Sequence, residues 1–244
     1  MIARAVAVLD SLRQHPKGLS LGEIAKLVSL PRSTVQRIVA ALDDEGLVIA
    51  ASLTDGVKLG PRLISFAASA KFEIADFCLP TLQRLAKETG ETVDLSVLNH
   101  DKLVFVDHVP GTHRLRPVSA VGVSFPLHSN APGKAMLATL AETELEKYRR
   151  RLSLAKMTDN TILSWEKLNR ELAQVRKEGV AYDHEEHSLG ICAVGAALRD
   201  PTGELAAISI PVPTQRFGPN ERKLTRILQK TCRELQRRLQ HEAT

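Results

Sequence analysis

The feature that most constrains this chain is the punctuation of residues 19–46, where two short amphipathic stretches are separated only by the pair Ser29-Leu30. Ser20 stands ahead of Leu21-Gly22-Glu23, the spacing of a capping box. The serine hydroxyl accepts from the N–H of Glu23, and the glutamate carboxylate accepts from the N–H of Ser20. Leu21, Ile24, Ala25 and Val28 then recur at i, i+3, i+4 and i+7, which predicts a helix with one buried face. Pro31, a favoured first helical residue, opens a second helix that runs to about Glu45 and is closed by Gly46. Two helices joined by so short a turn must cross and pack, which is a helix-turn-helix. A preceding helix, Ile2 to Gln14, offers Val6, Leu9 and Leu12 to the same core before His15-Pro16-Lys17-Gly18 breaks it.

In the helix from Pro31, the residues Val35, Ile38, Val39 and Leu42 form one apolar stripe. Arg32, Ser33, Gln36 and Arg37 therefore point away from the core, with Thr34 at its margin. That outward set fits a DNA major groove. Arginine bonds guanine bidentately, glutamine bonds adenine, hydroxyls and helix N-terminal amides hold phosphates, and all of them fall in the first two turns. Leu47 to Ala51 and Val57 to Leu59 flank Leu53-Thr54-Asp55-Gly56 as a hairpin, a wing that adds Lys58 as a further candidate DNA contact. The net charge of +5 is compatible with a polyanionic partner. It is not concentrated here: residues 1–60 hold seven Lys and Arg against six Asp and Glu. The DNA reading rests on geometry, and a winged-helix protein-interaction module is the alternative from another class.

At 244 residues, 43% hydrophobic and 25% charged, the chain has room for two globular domains. The longest apolar runs, such as Ile191 to Leu198, are too short to span a bilayer, and no signal pattern follows Met1, so a cytoplasmic protein without membrane contact is expected. Cys78, Cys192 and Cys232 form no C-x-x-C pair and are expected to be reduced thiols, with no metal or cofactor implied. Gly60-Pro61 ends the first domain, 1–60. Residues 61–77 read as a linker helix carrying Leu63, Ile64, Phe66, Ala67, Ala70 and Ile74. So apolar a face packs either on its own second domain or on the same helix of another subunit. The latter makes a homodimer, with a tetramer as a further step, to match a two-fold operator.

Residues 78–244 read as an α+β domain. A helix from Pro80 to Thr89 precedes a half-buried hairpin, in which Thr92 to Val97 alternates and Leu103 to Val109 follows a turn at Asn99-His100-Asp101. Further strands are expected at Leu115 to Val118, Val180 to Glu185, Ile191 to Leu198 and Leu205 to Val212, with a turn at Asp200-Pro201-Thr202-Gly203. Helices at about Gly133 to Leu140, Glu142 to Arg150, Trp165 to Glu178 and Asn220 to Gln240 would cover this antiparallel sheet and leave a concave side for a small ligand.

Two stretches, L-H-S-N-A-P-G-K-A-M-L-A at 127–138 and G-V-A-Y-D-H-E-E-H-S-L-G-I-C-A-V at 179–194, resemble the effector domain of the IclR family of bacterial transcriptional regulators. Thr161-Ile162, the run Ala206-Ala207-Ile208-Ser209-Ile210, and L-P-R-S-T-V-Q-R at 30–37 extend the resemblance over nearly the whole chain in the family's order. It implies a winged helix-turn-helix, a dimerising linker helix, and a GAF-like domain that senses a small metabolite, usually an organic acid. Carried over, the effector pocket would be lined by Ala131, Pro132, Gly133, Asp183, Cys192 and Ser209. The amides at the start of the Gly133 helix would make an anion site there. Two departures point to a ligand making fewer bonds. Pro211 stands where the A-I-S-I run commonly continues with serine, and Pro132 precedes the G-K-A glycine, so an N–H is missing at each. An enzyme reading would enlist His184, Glu185, Glu186 and His187 for metal or acid–base work. Their spacing is not H-E-x-x-H, and on a strand the two histidines would face opposite sides.

Overall fold

A computed structural model describes residues 2–50, 56–69, 73–200 and 202–241. The chain divides into two compact units, Met1–Lys71 and Phe72–Thr244. The first holds α1 (Ile2–Arg13), α2 (Leu21–Leu27), α3 (Arg32–Asp44), the antiparallel pair β1 (Val48–Ala50) and β2 (Val57–Leu59), and α4 (Arg62–Ser69). The capping box forms as the spacing predicts: the Glu23 amide donates to Ser20 Oγ at 3.3 Å, and the Ser20 amide donates to Glu23 Oε2 at 2.8 Å. Val8, Leu12, Ile24, Val35, Val39 and Leu42 make one core, closed by Val48 and Val57 from the hairpin. Leu19 adds a bridge to Val57, so the wing is stitched to the segment ahead of α2. Leu53, Thr54 and Asp55 of the expected turn lie outside the described residues.

Of the expected linker helix, Arg62–Ser69 is described as α4, and residues 70–72 lie outside the described residues; helix α5 (Glu73–Thr89) belongs to the second unit and runs through Pro80 without ending there. Its buried residues Ile74, Cys78, Leu82 and Leu85 follow helical spacing, so tertiary burial of one continuous stripe outweighs the hydrogen bond that proline removes. Ile74 is thus part of the second unit's core rather than of an unpartnered linker face. Ala67 and Ala70 of that face lie outside the described side chains; Ile64 and Phe66 are 72% and 52% exposed.

The second unit is built on a six-stranded antiparallel sheet, β3 (Val93–Asn99), β4 (Lys102–Val109), β5 (Ser124–Pro126), β6 (Ala181–His184), β7 (Ile191–Arg199) and β8 (Leu205–Pro213), in the spatial order β5-β4-β3-β8-β7-β6. One face packs on α5 and on α9 (Thr214–His241) through Leu82, Val194, Ile208, Phe217 and Leu228. The other is covered by α6 (Ala131–Thr139), α7 (Glu142–Arg151) and α8 (Trp165–Glu178) through Leu103, Leu137, Leu145, Leu168 and Ala207.

Three expectations move. No strand forms over 115–118. This stretch is held by side chains instead: Thr92 Oγ1 donates to the Pro117 carbonyl at 3.3 Å, and Arg216 Nη2 donates to the Leu115 carbonyl at 2.9 Å. Strand β5, not expected, pairs at the β4 edge. Helix α9 starts at Thr214 rather than Asn220, because Gly218-Pro219 lies inside it, in its second turn, and Phe217 is buried in the core.

Close approach of α6 to the sheet depends on Gly195. A Cβ there would lie 2.8 Å from Pro132 N and 2.9 Å from the Ala131 carbonyl carbon, both backbone atoms that cannot rotate away. Gly195→Ala is expected to lower stability by about 1–3 kcal/mol, the usual effect of overpacking, seen as a lower urea midpoint at unchanged m-value.

Candidate nucleic-acid interface and effector cavity

The first unit presents α3 as the sequence predicts. Val35 and Val39 are buried, Ile38 is half-buried, and Arg32, Ser33, Gln36 and Arg37 are exposed with Thr34 at the margin. Pro31 caps the helix without a side-chain bond. The acids are placed at the far end, where Asp43 is engaged in accepting the Ala50 amide at 3.0 Å. Lys58, half-buried, sits on β2 opposite Ile49.

In the second unit a cavity of about 240 Å³ opens on the α6 side of the sheet. Strand register brings its floor together: Asp94 on β3 lies beside Ser209 on β8, while Pro211, Ala193 and Asp183 are neighbours on β8, β7 and β6. Phe105 and Phe125 meet edge to face at 5.1 Å and form one wall, with His187 stacked on Phe125 at 3.9 Å. Val118 and Ser119, on the segment without regular structure before β5, also line it.

Two acids face this space. Asp94 is 2% exposed; its Oδ2 accepts from Ser119 Oγ at 2.5 Å, and its Oδ1 has no partner. Asp183 Oδ1 accepts the Glu186 amide at 2.7 Å. Burial pushes both carboxyls up to about 7. Burial also holds the His187 imidazole below its ordinary range, with nearby His128 adding to the effect. The residues lining the cavity include no lysine or arginine.

Of the six expected effector contacts, Pro132, Asp183 and Ser209 line the cavity. Ala131 and Gly133 are buried but do not, and the anion seat expected at the start of α6 is occupied from within. Pro132 has no N–H, the Gly133 amide donates to Asn130 Oδ1 at 2.8 Å, and the Lys134 amide donates to the Asn130 carbonyl at 3.1 Å. A Cβ on Gly133 would lie 2.4 Å from the Leu127 carbonyl oxygen, so that position faces backbone rather than ligand. Cys192 points to the other side of the sheet, among the α9-facing core residues, because its neighbour Ala193 takes the cavity side of the pleat. All three cysteines are free and buried. The thiol of Cys192 is pushed up chiefly by burial, which argues against reactivity.

The sequence reading missed Asp94 and the aromatic wall. A strictly alternating hairpin suggests one face in water, yet β3 is covered on both faces and Asp94 and Ser96 are both buried. The available signal was an aspartate inside a strand, where it is depleted unless something holds it.

The residues of the enzyme alternative disperse. His184 is exposed beside Glu221 at 3.3 Å, and Glu185 Oε1 accepts the Gly190 amide at 2.6 Å. His187 stacks on Phe125, and Glu186 Oε1 accepts from Lys134 Nζ at 2.5 Å. Lys134, wholly buried, also bonds Glu171. Among the described residues no three His, Cys, Asp or Glu side chains gather to hold a metal, and no helix is long and apolar enough to cross a membrane.

Residues 66–237 match the family described as bacterial transcriptional regulator IclR C-terminal, and residues 1–49 match the IclR helix-turn-helix domain. This chain belongs to the IclR family of bacterial transcriptional regulators. It is 47% identical over 226 residues to the HTH-type transcriptional regulator Rv1719 of Mycobacterium tuberculosis, covering 92% of this chain and 86% of that protein. It is 39% identical over 216 residues to the HTH-type transcriptional regulator TtgV of Pseudomonas putida, covering 88% and 82%. The crystal structure of the Thermotoga maritima IclR is similar throughout, with a TM-score of 0.77 at 30% identity over 98% of each chain. These IclR relatives are transcriptional regulators rather than enzymes, and so is this protein: a helix-turn-helix unit joined to a ligand-binding C-terminal domain.

Proposed function

We propose that this IclR-family regulator binds operator DNA as a homodimer through the first two turns of α3, and that a small molecule in the second unit's cavity alters that binding. The observation that carries the DNA assignment is the exposed set Arg32, Ser33, Gln36 and Arg37 standing directly opposite buried Val35, Val39 and Leu42. Thr34 and Lys58 flank that set and serve phosphates. A first unit with a net charge of only +1 over residues 1–60 binds DNA weakly as a single copy, so two copies are needed. The exposed Ile64 and Phe66 of α4 are the apolar surface that supports pairing with a second copy. Control then works by altering how two recognition helices are spaced, without the ligand touching either of them. The cavity's size, its aromatic wall and its buried polar groups support the ligand assignment.

Selection of duplexes from a random pool by the full chain tests this reading. The expected product is an inverted repeat with half-sites spaced about one helical turn, or a multiple of it, from centre to centre. Recovery of no preferred duplex, or of a single asymmetric half-site, would count against a dimeric DNA-reading protein.

A further inference from the structure

We infer that the effector cavity is built for a largely apolar molecule that carries no negative charge and donates a hydrogen bond, an amine or alcohol on an aromatic or aliphatic body, with Asp94 as its acceptor. This rests on the ligand-sensing role proposed above and names the ligand class that the site accepts.

Several observations converge. Asp94 is 2% exposed, lines the cavity, and leaves Oδ1 without a partner. A buried acceptor in that state is destabilising until something donates to it, so it favours whatever ligand supplies the donor. A second acid, Asp183, faces the same space, so a carboxylate ligand would enter a low-dielectric cavity beside like charges. No lysine or arginine lines the cavity to offset them. The nearby ammonium of Lys134 does not line the cavity and is committed to Glu171 and Glu186. The helix amides that could have held an anion are absent at Pro132 and taken at Gly133 by Asn130. The remaining walls are largely apolar or aromatic, with Phe105 and Phe125 beside neutral polar groups such as Ser188 and Ser209, and an aromatic wall suits a ring or a cation. Burial pushes both carboxyls up to about 7; an approaching amine would draw them down towards ionisation, and an approaching carboxylate would push them up further.

The contact between Ser119 Oγ and Asp94 Oδ2 adds a consequence. A ligand donor on Asp94 binds next to Ser119, a side chain that ties the segment before β5 to the cavity floor, so occupancy bears on that tie through one carboxyl.

The test uses the full chain and two matched sets of probes: benzylamine, benzyl alcohol and benzoate, and the corresponding naphthylmethylamine, naphthylmethanol and naphthoate. Within a set, shape is held nearly constant while the polar group changes. Amine and alcohol are expected to raise Tm and to bind at least tenfold more tightly by calorimetry than the carboxylate of the same set. Asp94→Asn, checked for an unchanged far-ultraviolet spectrum, is expected to weaken the amine at least tenfold and to narrow its advantage over the carboxylate. The comparison within the unaltered protein needs no variant, so a poorly folding Asp94→Asn leaves the test intact. Preference for the carboxylates overturns the assignment and leaves a ligand-sensing cavity standing. No binding by any of the six also overturns it, and the sensing role falls as well only if filling the cavity by Ala193→Phe leaves duplex affinity unchanged.

Discussion

Lys134→Met lowers the stability of the effector domain by about 3–5 kcal/mol, the loss expected when one partner of a buried charge pair is removed. Lys134 is wholly buried, and its ammonium holds together Glu186, on the turn after β6, and Glu171, on α8. Glu171 remains partly in water and can be solvated when the lysine is gone. Glu186 cannot: its side chain is 7% exposed and its Oε2 is already without a partner. Burial raises the Glu186 carboxyl above its ordinary range even with Lys134 present. Without the lysine it would be raised further, with Asp183 and Glu171 the acids facing it and Lys134 the cation removed. The sign of the pH dependence follows. An acid with a raised folded-state pKa favours the fold while protonated, so the variant loses stability as pH rises from about 5 towards 8 and is least impaired at the acid end. Denaturant midpoints at pH 5 and pH 8 check this, and at pH 8 a fall in Tm of roughly 6–20 °C is expected for a domain of this size. Lys134→Met combined with Glu186→Gln recovers most of the loss, because the uncompensated charge goes with it. A single variant as stable as the parent at pH 8 would show that the cluster contributes nothing.

Arg37→Ala weakens binding of a selected duplex by about 1–3 kcal/mol per half-site, roughly five- to 150-fold, if the guanidinium reads a base edge. Its side chain is exposed in the second turn of α3, opposite the buried stripe, so the fold does not depend on it, and stability is expected to change by no more than about 0.5 kcal/mol. The same substitution separates base reading from phosphate binding. A base contact relaxes preference at one position of the selected sequence. A phosphate contact weakens all duplexes alike and lowers the salt slope by about 1. Fluorescence anisotropy against the selected duplex and a scrambled one, each at several salt concentrations, distinguishes the two.

Much of the first unit was legible because its signals are local. The capping box at Ser20 and Glu23, the two-residue turn before Pro31 and the stripe from Val35 to Leu42 are each decided within one or two helical turns. The second unit's sheet was legible in the strands that carry their own alternation or end at a clear turn, such as β3, β4, β7 and β8. Three features were not legible, each for a non-local reason. Pro80 reads as a helix start, and only the continuous burial of Ile74, Cys78, Leu82 and Leu85 against distant strands reveals that α5 begins earlier. Leu115 to Val118 has strand-forming residues but no neighbouring strand to pair with, and its carbonyls are met by Thr92 and Arg216 instead. Asp94 sits on the apparently polar side of a hairpin, and its burial depends on β3 lying third in a six-stranded sheet, which no stretch of residues 92–109 encodes alone. For the cavity, the family resemblance located Pro132, Asp183 and Ser209. Assigning Cys192 to it failed on the pleat, and seating an anion on the α6 amides failed because Asn130 already caps them.

We propose that the contents of the cavity set how well α3 meets DNA. Ala193→Phe tests it without knowledge of the natural ligand, since Ala193 lies on the cavity floor between Asp183 and Pro211 and an added ring fills part of the 240 Å³ space. The deciding measurement is the affinity of the full-length variant for the selected duplex beside that of the parent chain, with the fold of both verified by their thermal transitions. A change of about fivefold or more in either direction, the lower end of ordinary allosteric coupling, is the predicted result. Equal affinity from a folded variant with its cavity filled would show that the cavity and the DNA contact are uncoupled.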